Sequence, residues 1–435
     1  MTLTVLDWNE LDASARENAL QRPASTADRA SIAAGVREIV ASVRNDGDDA
    51  LRRLCEKFDQ VKLADFRVSP AEAAAAEASL SAAAIDAIDL AISNVRKFHE
   101  AQLPAPLVVE TMPGVRCERI SHPIDAVGLY VPAGTAPLPS AAIMLAVPAT
   151  IAACPVRILC TPPRPDGKAD AAVVTAARRA GVDEIYKVGG AQAIAAMAYG
   201  TESIPRVCKI FGPGNAWVTE AKTQVATDAD GAAIDLPAGP SEVLVVADKF
   251  AAAEFVAADL LSQAEHGVDS QAILVTPSHE LASQVNAALA DQLEKLPRAE
   301  IARQALAASR AFVVQDIRQA VVLSNAYAPE HLILQVQNAR QLLGDIRNAG
   351  SIFVGAWAPE AVGDYCSGTN HVLPTYGFAR AYNGLGVDQF LRQMSVQELT
   401  RDGLVSIADT VLELASLEGL DAHANAVRQR LEASR

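Results

Sequence analysis

A polar, glycine-interrupted stretch late in the chain contains several side chains that are able to do chemistry. This stretch, GDYCSGTNHVLPT (residues 363–375), contains Asp364, Cys366 and His371. Aspartate and histidine are both zinc ligands, and an imidazole also carries protons at neutral pH. A cysteine acts as a nucleophile only where a nearby cation or a helix N-terminus stabilises its thiolate. The residues alone leave open a metal site, a proton-transfer site, a catalytic thiol, or an incidental cysteine.

The segment DLLSQAEHG, residues 259–267, has the pattern of a helix end that holds a metal. Gln263 and His266 are three residues apart, so they project from the same helical face. We expect Gly267 to be the C-terminal cap, which places His266 near unpaired carbonyl groups and favours a bound dication. The simpler interpretation, a polar helix end with a capping histidine, is the commoner one for such a segment taken alone.

The segment YAPEHL, residues 327–332, places a carboxylate and an imidazole side by side. Glu330 and His331 follow Pro329 at the entrance to the predicted strand LILQV. These are the usual proton carriers at neutral pH. Adjacent residues of an extended chain point to opposite faces, so the pair lines one cleft only if the backbone turns there. The alternative is a solvated strand edge.

The segment LEGLDAH, residues 417–423, adds a second carboxylate and imidazole. Glu418 and His423 are five residues apart and do not share a face of a regular helix. They come together only if Gly419 breaks the helix, so this signal is weak by itself.

Two glycine-containing segments follow predicted strands. They are VGGAQA (residues 188–193) and GPGN (residues 212–215). Ligands of α/β folds bind beyond the carboxyl ends of the strands, which is where these segments lie. The chain contains no GxGxxG fingerprint, so the residues alone leave nucleotide binding open.

Strands and helices alternate from about residue 125, which predicts an α/β fold with parallel sheets. The predicted strands are AVGLYVP, VRILCTP, EIYKVGG and RVCKIFGPGN in a first run, then SEVLVVAD, QAILVTPS, AFVVQD, LILQV and SIFVG in a second. Residues 27–102 are Ala-rich with apolar residues at helical spacing, so we expect packed helices there. From about Asp388 we expect helices again.

The composition excludes several classes of protein. With 37 Lys and Arg against 52 Asp and Glu, the net charge of −15 argues against nucleic acid or an anionic membrane as partner. The apolar run AAIMLAVPATIAACPV is short and contains two prolines, so we expect a buried helix and not a membrane span. The acidic N-terminus lacks the features of a signal peptide, so we expect a cytoplasmic protein. The six cysteines contain no CxxC pair, and most should be buried free thiols.

Seven segments together resemble the histidinol dehydrogenase family, in the same order and at fitting distances. They are GLYVPAGTAPLPS, VGGAQAIAAMAYGT, KIFGPGNAWVTEAK, DLPAGPSEVLVVAD, LLSQAEHG, APEHL and GDYCSGTNHVLPTYG. The resemblance covers the chain from about residue 120 to the end and is weaker in the N-terminal helical region. It implies an enzyme that oxidises L-histidinol to L-histidine through the aldehyde, with one zinc ion per subunit and two NAD molecules used in turn.

The resemblance also implies a domain organisation. The family is a homodimer of α/β subunits with two incomplete Rossmann-like parallel-sheet domains, a helical N-terminal arm and a helical C-terminal tail that reaches the neighbouring active site. On this chain the predicted parts are an arm at residues 1–25, a first domain at 26–125 with 241–385, a second domain at 126–240, and a swapped tail at 386–435.

The family's functional residues map onto residues of this chain. The resemblance implies that Glu330 and His331 are the catalytic residues, and that the metal ligands are Gln263, His266, Asp364 and, from the other subunit, His423. The substrate would contact these ligands and His331, and also Ser241, His371 and Glu418. The implied NAD contacts are Tyr130, Gln192 and Asn215. The family motif does not require a cysteine at position 366, so Cys366 is interpreted as a bystander. Three alternatives are a relative that oxidises another amino or sulfonated polyol, a zinc hydrolase that uses Glu330, and a non-catalytic metal-binding dimer.

Overall fold

The computed structural model describes residues 3–22, 29–133, 137–236 and 239–433. The helices are α1 Ala13–Ala19, α2 Arg29–Leu54, α3 Pro70–Ala78, α4 Ala82–Glu100, α5 Pro139–Ile151, α6 Ala171–Arg179, α7 Gly190–Tyr199, α8 Ala216–Thr227, α9 Ala253–Ala264, α10 His279–Leu293, α11 Ala299–Ala307, α12 Ile317–Tyr327, α13 Glu360–Tyr365, α14 Arg401–Leu417 and α15 Asp421–Glu432. The strands are β1 Thr4–Asp7, β2 Leu107–Met112, β3 Val115–Pro123, β4 Ala126–Tyr130, β5 Val156–Thr161, β6 Glu184–Lys187, β7 Lys209–Phe211, β8 Ala233–Ile234, β9 Glu242–Ala247, β10 Gln271–Thr276, β11 Arg310–Val313, β12 His331–Gln335, β13 Ser351–Val354 and β14 Leu391–Leu399.

The chain divides into two compact units. The first consists of Met1–Gln102 and Ile124–Phe390, and the second of Leu103–Pro123 and Leu391–Arg435. The first unit contains two parallel sheets, which confirms the predicted α/β fold. Because both sheets belong to one compact unit, the domain boundaries given by the sequence stay a prediction.

The five-stranded sheet of the first unit has the order β6-β5-β4-β7-β8, with all its strands parallel. The chain starts in the centre at β4, adds β5 and β6 on one side, and then returns to add β7 and β8 on the other. Such a reversal creates a crevice beyond the carboxyl ends of the two central strands, here β4 and β7. Every residue of α7 from Ala191 to Ala198 is buried against this sheet's core, as the small side chains of AQAIAAMA allow.

The six-stranded sheet has the order β1-β11-β10-β9-β12-β13 and is also parallel. Around its central strand β9 it repeats the order of the first sheet, with β10 and β11 on one side and β12 and β13 on the other. All residues of β9 and β10 are buried, because helices cover both faces of such a sheet. The N-terminal segment was predicted as an arm or short helix, yet Thr4–Asp7 forms the edge strand β1 beside Arg310–Val313 before helix α1 begins.

The apolar run that begins near residue 141 forms the buried helix α5, as predicted. Residues Ala141 to Ala149 are all buried, and Pro139 occupies the first turn, where its missing N–H costs nothing. Pro148 lies inside the helix without ending it. Among the described residues, no helix is both long and apolar enough to cross a membrane.

The second unit combines a three-stranded antiparallel sheet, in the order β14-β3-β2, with helices α14 and α15. The prediction of helix from about Asp388 was wrong for Leu391–Leu399, which pairs along its whole length with β3. In LRQMSVQEL the apolar residues Leu391, Met394 and Val396 are spaced three and two apart, so the short segment fits a helical pattern as well as a strand. Pairing with distant residues decided between them. The two C-terminal helices are as predicted.

Candidate active site

The catalytic candidates Glu330 and His331 lie at the amino end of β12, beside the amino end of β9. Glu330 Oε2 accepts a hydrogen bond from the backbone N–H of Glu242 at 2.9 Å, and His331 Nδ1 lies 3.1 Å from the carbonyl oxygen of Glu242. The first residue of β9 therefore holds both side chains with its own peptide groups. Both are nearly fully buried, at 5% and 3% exposure.

The backbone turns before β12, which lets two adjacent residues face one site. Ala328 adopts the left-handed conformation at φ 56°, as the C-cap of α12. Glu330 Oε2 then lies 3.7 Å from His331 Nδ1. The start of β13 closes around this turn, because Ser351 N–H donates to the Glu330 carbonyl at 2.8 Å. A Cβ at Gly350 would lie 2.6 Å from the same oxygen, so the approach requires glycine. The backbone turn that Glu330 and His331 need in order to line one cleft is therefore present.

A cluster of metal-ligand atoms lies beside this pair. Ligand atoms of His266, Glu360 and Asp364 all lie within 4.8 Å of one another. Gln263 is fully buried, and its amide satisfies its neighbours when Nε2 donates to Glu360 Oε1 at 3.1 Å and to the Glu242 carbonyl at 3.2 Å. That orientation leaves the amide oxygen as the atom available to a metal.

The predicted C-cap of the helix that carries Gln263 was wrong. Helix α9 ends at Ala264 with Glu265 as its C-cap, and Gly267 does not have a positive φ. His266 still lies within two residues of the helix end, with its N–H bonded to the Gln263 carbonyl at 3.2 Å. The negative end of the α9 dipole therefore faces the cluster, although no glycine cap produces it.

The polar loop that follows α13 folds back onto Asp364, a member of the cluster. His371 Nδ1 lies 2.8 Å from the carbonyl oxygen of Asp364, which fixes the orientation of the imidazole. Cys366 is half-buried as the C-cap residue of α13, and its carbonyl oxygen accepts a hydrogen bond from Asn94 at 2.9 Å.

Burial dominates the electrostatics of the site. Loss of water raises the pKa of Glu330 and of Glu360 well above the ordinary value, and it raises the pKa of Asp364 to about 6. The same loss lowers the pKa of His331 to about 3 and that of His371 to about 4. Among the described residues, His331 Nε2 and Glu360 Oε2 are buried atoms with no hydrogen-bond partner. Buried carboxylates with an unpartnered oxygen favour a dication, which would stabilise their ionised form.

The NAD candidates lie at the opposite end of the other sheet. Tyr130 ends β4, Gln192 lies in the first turn of α7 after β6, and Asn215 caps α8 after β7. The Tyr130 hydroxyl accepts the Gly190 N–H at 3.0 Å, and Asn215 Oδ1 accepts the N–H groups of Trp217 and Val218 at 3.1 Å each. These positions border the β4–β7 crevice and two helix N-termini, which are favourable places for phosphate groups.

A buried ion pair holds the loop beside Asn215. Lys222 pairs with Asp235 and donates to the Gly212 carbonyl at 2.9 Å, while Asp235 Oδ2 accepts the Gly212 N–H at 2.8 Å. Gly212 has a φ of 122°, and a Cβ there would lie 2.1 Å from the Tyr130 carbonyl oxygen. The loop therefore passes directly against the end of β4, which only glycine permits.

The remaining predicted residues occupy different parts of the chain. Ser241 is half-buried immediately before β9, and its carbonyl accepts the Gln271 N–H at 3.2 Å. Glu418 and His423 belong to the second unit and are both exposed, Glu418 as the C-cap of α14 and His423 in the first turn of α15. Gly419, at φ 68°, separates these two helices, so the helix break on which the weak signal depended is present.

Comparisons with known proteins identify the family of the chain. A sequence model of the histidinol dehydrogenase family matches residues 21–431. The chain belongs to the histidinol dehydrogenase family. It is 56% identical to the histidinol dehydrogenase of Vibrio cholerae, covering 98% of this chain and 97% of the other, and 55% identical to that of Xanthomonas oryzae pv. oryzae, covering 99% of each. A crystal structure of the enzyme from Elizabethkingia anophelis matches with a TM-score of 0.95 at 45% identity, covering 99% of this chain and 98% of that one.

Membership of the histidinol dehydrogenase family confirms the resemblance inferred from the seven motifs, and it makes this protein an oxidoreductase. Glu360 and Glu242 were not found from the sequence. Glu360 lies only four residues before Asp364, so an i, i+4 pair of acids on a helix after Pro359 was a usable signal. Glu242 acts through its peptide groups, and those contacts leave no signal in a sequence.

Proposed function

We propose that this enzyme oxidises L-histidinol to L-histidine through L-histidinaldehyde, in two successive hydride transfers to NAD, in the biosynthesis of histidine. One observation carries the proposal beyond family membership. Two proton carriers, Glu330 and His331, are held 3.7 Å apart beside a cluster of nitrogen and oxygen ligands. A four-electron oxidation needs two kinds of proton transfer, and a buried pair of unlike groups can supply both.

The donor atoms fit zinc. We assign Gln263, His266 and Asp364 as its ligands, together with His423 from a second subunit. A set of nitrogen and oxygen donors without thiolate suits an exchangeable catalytic metal. When bound, zinc would supply an anchor that orients the nitrogen atoms of the substrate. Ser241, His371 and Glu418 would contact the substrate around it.

His331 is the base for the alcohol proton. A carbonyl oxygen only accepts hydrogen bonds, so the contact with the Glu242 carbonyl places the ring hydrogen on Nδ1. Nε2 then has a lone pair and, among the described residues, no partner. The low pKa of His331 keeps the imidazole neutral at pH 7. Nε2 therefore takes the hydroxyl proton as hydride leaves the adjacent carbon.

Glu330 is the base that activates water. Its Oε2 is fixed by the Glu242 N–H, and burial raises its pKa, which makes the ionised carboxylate a stronger base. It removes a proton from water as the water adds to the aldehyde. His331, protonated in the first oxidation, returns that proton to the aldehyde oxygen, which completes the hydrate. The hydrate then loses a hydroxyl proton to the neutral His331 while the second hydride leaves, and the carboxylic acid so formed ionises to the carboxylate product.

The β4–β7 crevice is the proposed NAD site. Tyr130, Gln192 and Asn215 are buried or ordered by contacts to backbone groups at the helix N-termini, so the site is built before the dinucleotide arrives. The N-termini of α7 and α8 bring the positive ends of two helix dipoles to an anionic ligand without net positive charge. This agrees with a cofactor site in a chain of net charge −15.

A homodimer completes the proposed site, with Glu418 and His423 acting on the neighbouring subunit. Complementation tests this: His423→Ala chains and His266→Ala chains are mixed after each is shown to be inactive. If the residues act across the dimer, each mixed dimer has one intact site of two. An equimolar mixture, in which half of the dimers are mixed, then regains about a quarter of wild-type activity. Continued inactivity of mixed dimers, with exchange verified by mass spectrometry, would contradict the shared site.

The decisive experiment for the function is the NADH formed per molecule of L-histidinol consumed. We expect two NADH and one histidine, with activity lost on strong chelation and restored by zinc. One NADH with released aldehyde would contradict the assignment of Glu330. Absence of NADH with histidinol, but its formation with another amino or sulfonated polyol, would show that the substrate is different.

A further inference from the structure

Arg22 connects the first residue of β9 with the segment that precedes β12, next to the proposed catalytic pair. Its Nε and Nη2 donate to the two carboxylate oxygens of Glu242, each at 2.8 Å, and Nη2 also donates to the Tyr327 carbonyl at 2.9 Å. The guanidinium lies over the Tyr327 ring, 3.9 Å from its centroid. One side chain thus bridges the first residue of β9 and the end of α12, just before the turn that leads to Glu330.

Glu242, which Arg22 holds in place, contacts the active site through its backbone. Its side chain is 1% exposed, and it also accepts the Tyr376 N–H at 2.7 Å. Its N–H and carbonyl groups hold Glu330 and His331, and the same carbonyl accepts the Gln263 amide at 3.2 Å. Fixing the Glu242 side chain from the outside therefore fixes the peptide groups that face the proton carriers.

We propose that Arg22 is a positioning residue for Glu330 and His331. This inference rests on the proposed function, in which those two side chains move the protons. A planar guanidinium binds a carboxylate with two parallel hydrogen bonds, stacks on an aromatic ring and has donors left for a carbonyl. A lysine ammonium supplies the charge but not this fork. The two parallel hydrogen bonds, and not the charge alone, set the positions of the first residues of β9 and β12.

The experiment compares Arg22→Lys and Arg22→Ala with the matched control Arg16→Ala. Arg16 lies in the same N-terminal segment and makes the same kinds of contact, donating to the Trp8 carbonyl at 3.0 Å and lying over the Trp8 ring. Single-turnover hydride transfer, the KM for histidinol, bound zinc and thermal unfolding are measured on each. Because displacement of a catalytic group by about 1 Å can cost roughly 100-fold in rate, we expect Arg22→Lys to slow hydride transfer at least 10-fold. The KM and zinc content should change less than about 3-fold.

A second measurement separates positioning from general loss of structure. Methylguanidine added to Arg22→Ala should restore at least about 10-fold of the lost rate by occupying the vacated fork, and it should not change the wild type or Arg16→Ala. If Arg22→Ala does not fold, the rate of hydride transfer in Arg22→Lys alone tests the proposal. Rates of Arg22→Lys within 3-fold of the wild type, or an equal loss in Arg16→Ala, would overturn the proposal. A wild-type enzyme that does not oxidise histidinol would instead remove the proposed function, and this inference with it.

Discussion

The two parallel sheets of the first unit share a strand order but carry their candidate site residues at opposite ends. The five-stranded sheet presents its candidate NAD residues beyond the carboxyl ends of its strands, where α7 and α8 begin. The six-stranded sheet presents its candidate proton carriers at the amino ends of β9 and β12, near the end of α9. Helix N-termini favour anions and helix C-termini favour cations. The choice of sheet end therefore matches the charge of the proposed ligand, a dinucleotide in one case and a metal ion in the other.

The largest effect is expected from Glu330→Gln, at the amino ends. Glutamine keeps the shape and still accepts the Glu242 N–H, but it cannot take a proton from water. Because general-base catalysis contributes about 10²–10⁴-fold, we expect histidine formation to fall about 10³-fold. Oxidation of the alcohol by NAD, for which His331 is the base, should suffer less, so the product becomes the aldehyde with one NADH. Equal slowing of both half-reactions, measured by stopped flow, would contradict separate roles for the two residues.

Removal of the metal should abolish the function of the site at the amino ends of β9 and β12 and leave the NAD site at the carboxyl ends of the other sheet intact. After dialysis against a strong chelator we expect more than about 100-fold loss of activity, recovered with zinc, because substrate orientation is lost. Binding of NAD to the chelated enzyme, followed by calorimetry, should change less than about 3-fold, since the carboxyl-end site keeps its contacts. Loss of NAD affinity together with the metal would mean that the two sites are not independent.

Asn215→Asp tests the carboxyl end alone. The carboxylate keeps the oxygen that caps α8, so the helix and its stability should remain, but it places a negative charge beside the proposed dinucleotide. We expect the Kd for NAD to rise about 10-fold, a cost of about 1.4 kcal/mol, with unchanged zinc content. The matched control is Ser278→Asp, which also adds an acid at an N-cap, that of α10 after β10 of the other sheet. An equal loss of NAD affinity in the control would remove the β4–β7 crevice as the cofactor site.

The last effect is on stability and not on activity, and it concerns Asp259, a buried acid of helix α9. Burial raises the pKa of Asp259 to about 6 from 3.8, although Gln335 donates to its carboxyl at 2.8 Å. A group with a raised folded pKa contributes stability that is present below its unfolded pKa and is lost as the pH rises through its folded pKa. Between about pH 4 and 6 the folded protein should therefore lose up to about 3 kcal/mol through this group.

Asp259→Asn removes that dependence while it keeps an acceptor for Gln335. Denaturant unfolding of the chelated protein should show the stability difference, variant minus wild type, increasing from pH 4 to pH 7. A difference that stays constant across this range would show that Asp259 does not titrate there.

The sequence predicted the parts of the fold and site that depend on local pattern. Nine predicted strands of the two parallel sheets are present, from AVGLYVP to SIFVG. His266 lies just beyond the end of α9, so it does not share a helical face with Gln263 as its spacing suggested. The turn that lets Glu330 and His331 face one site and the break at Gly419 have the local geometry that the sequence required. In each case a residue type and a short separation determine the geometry.

The parts that were missed depend on contacts between distant residues. Strand β1 exists because Thr4–Asp7 pairs with Arg310–Val313, and β14 exists because Leu391–Leu399 pairs with β3. Arg22 reaches Glu242 across 220 positions of sequence. No periodicity within either segment encodes such a contact, so one sequence read alone does not reveal it.

The most direct test of opposite sheet ends is a crystal structure of the enzyme with zinc and NAD, with anomalous diffraction measured at the zinc edge. We predict an anomalous peak within coordination distance of Gln263, His266 and Asp364, and a dinucleotide against Tyr130, Gln192 and Asn215. A zinc peak away from the amino ends of β9 and β12, or a dinucleotide bound at those amino ends, would contradict the account.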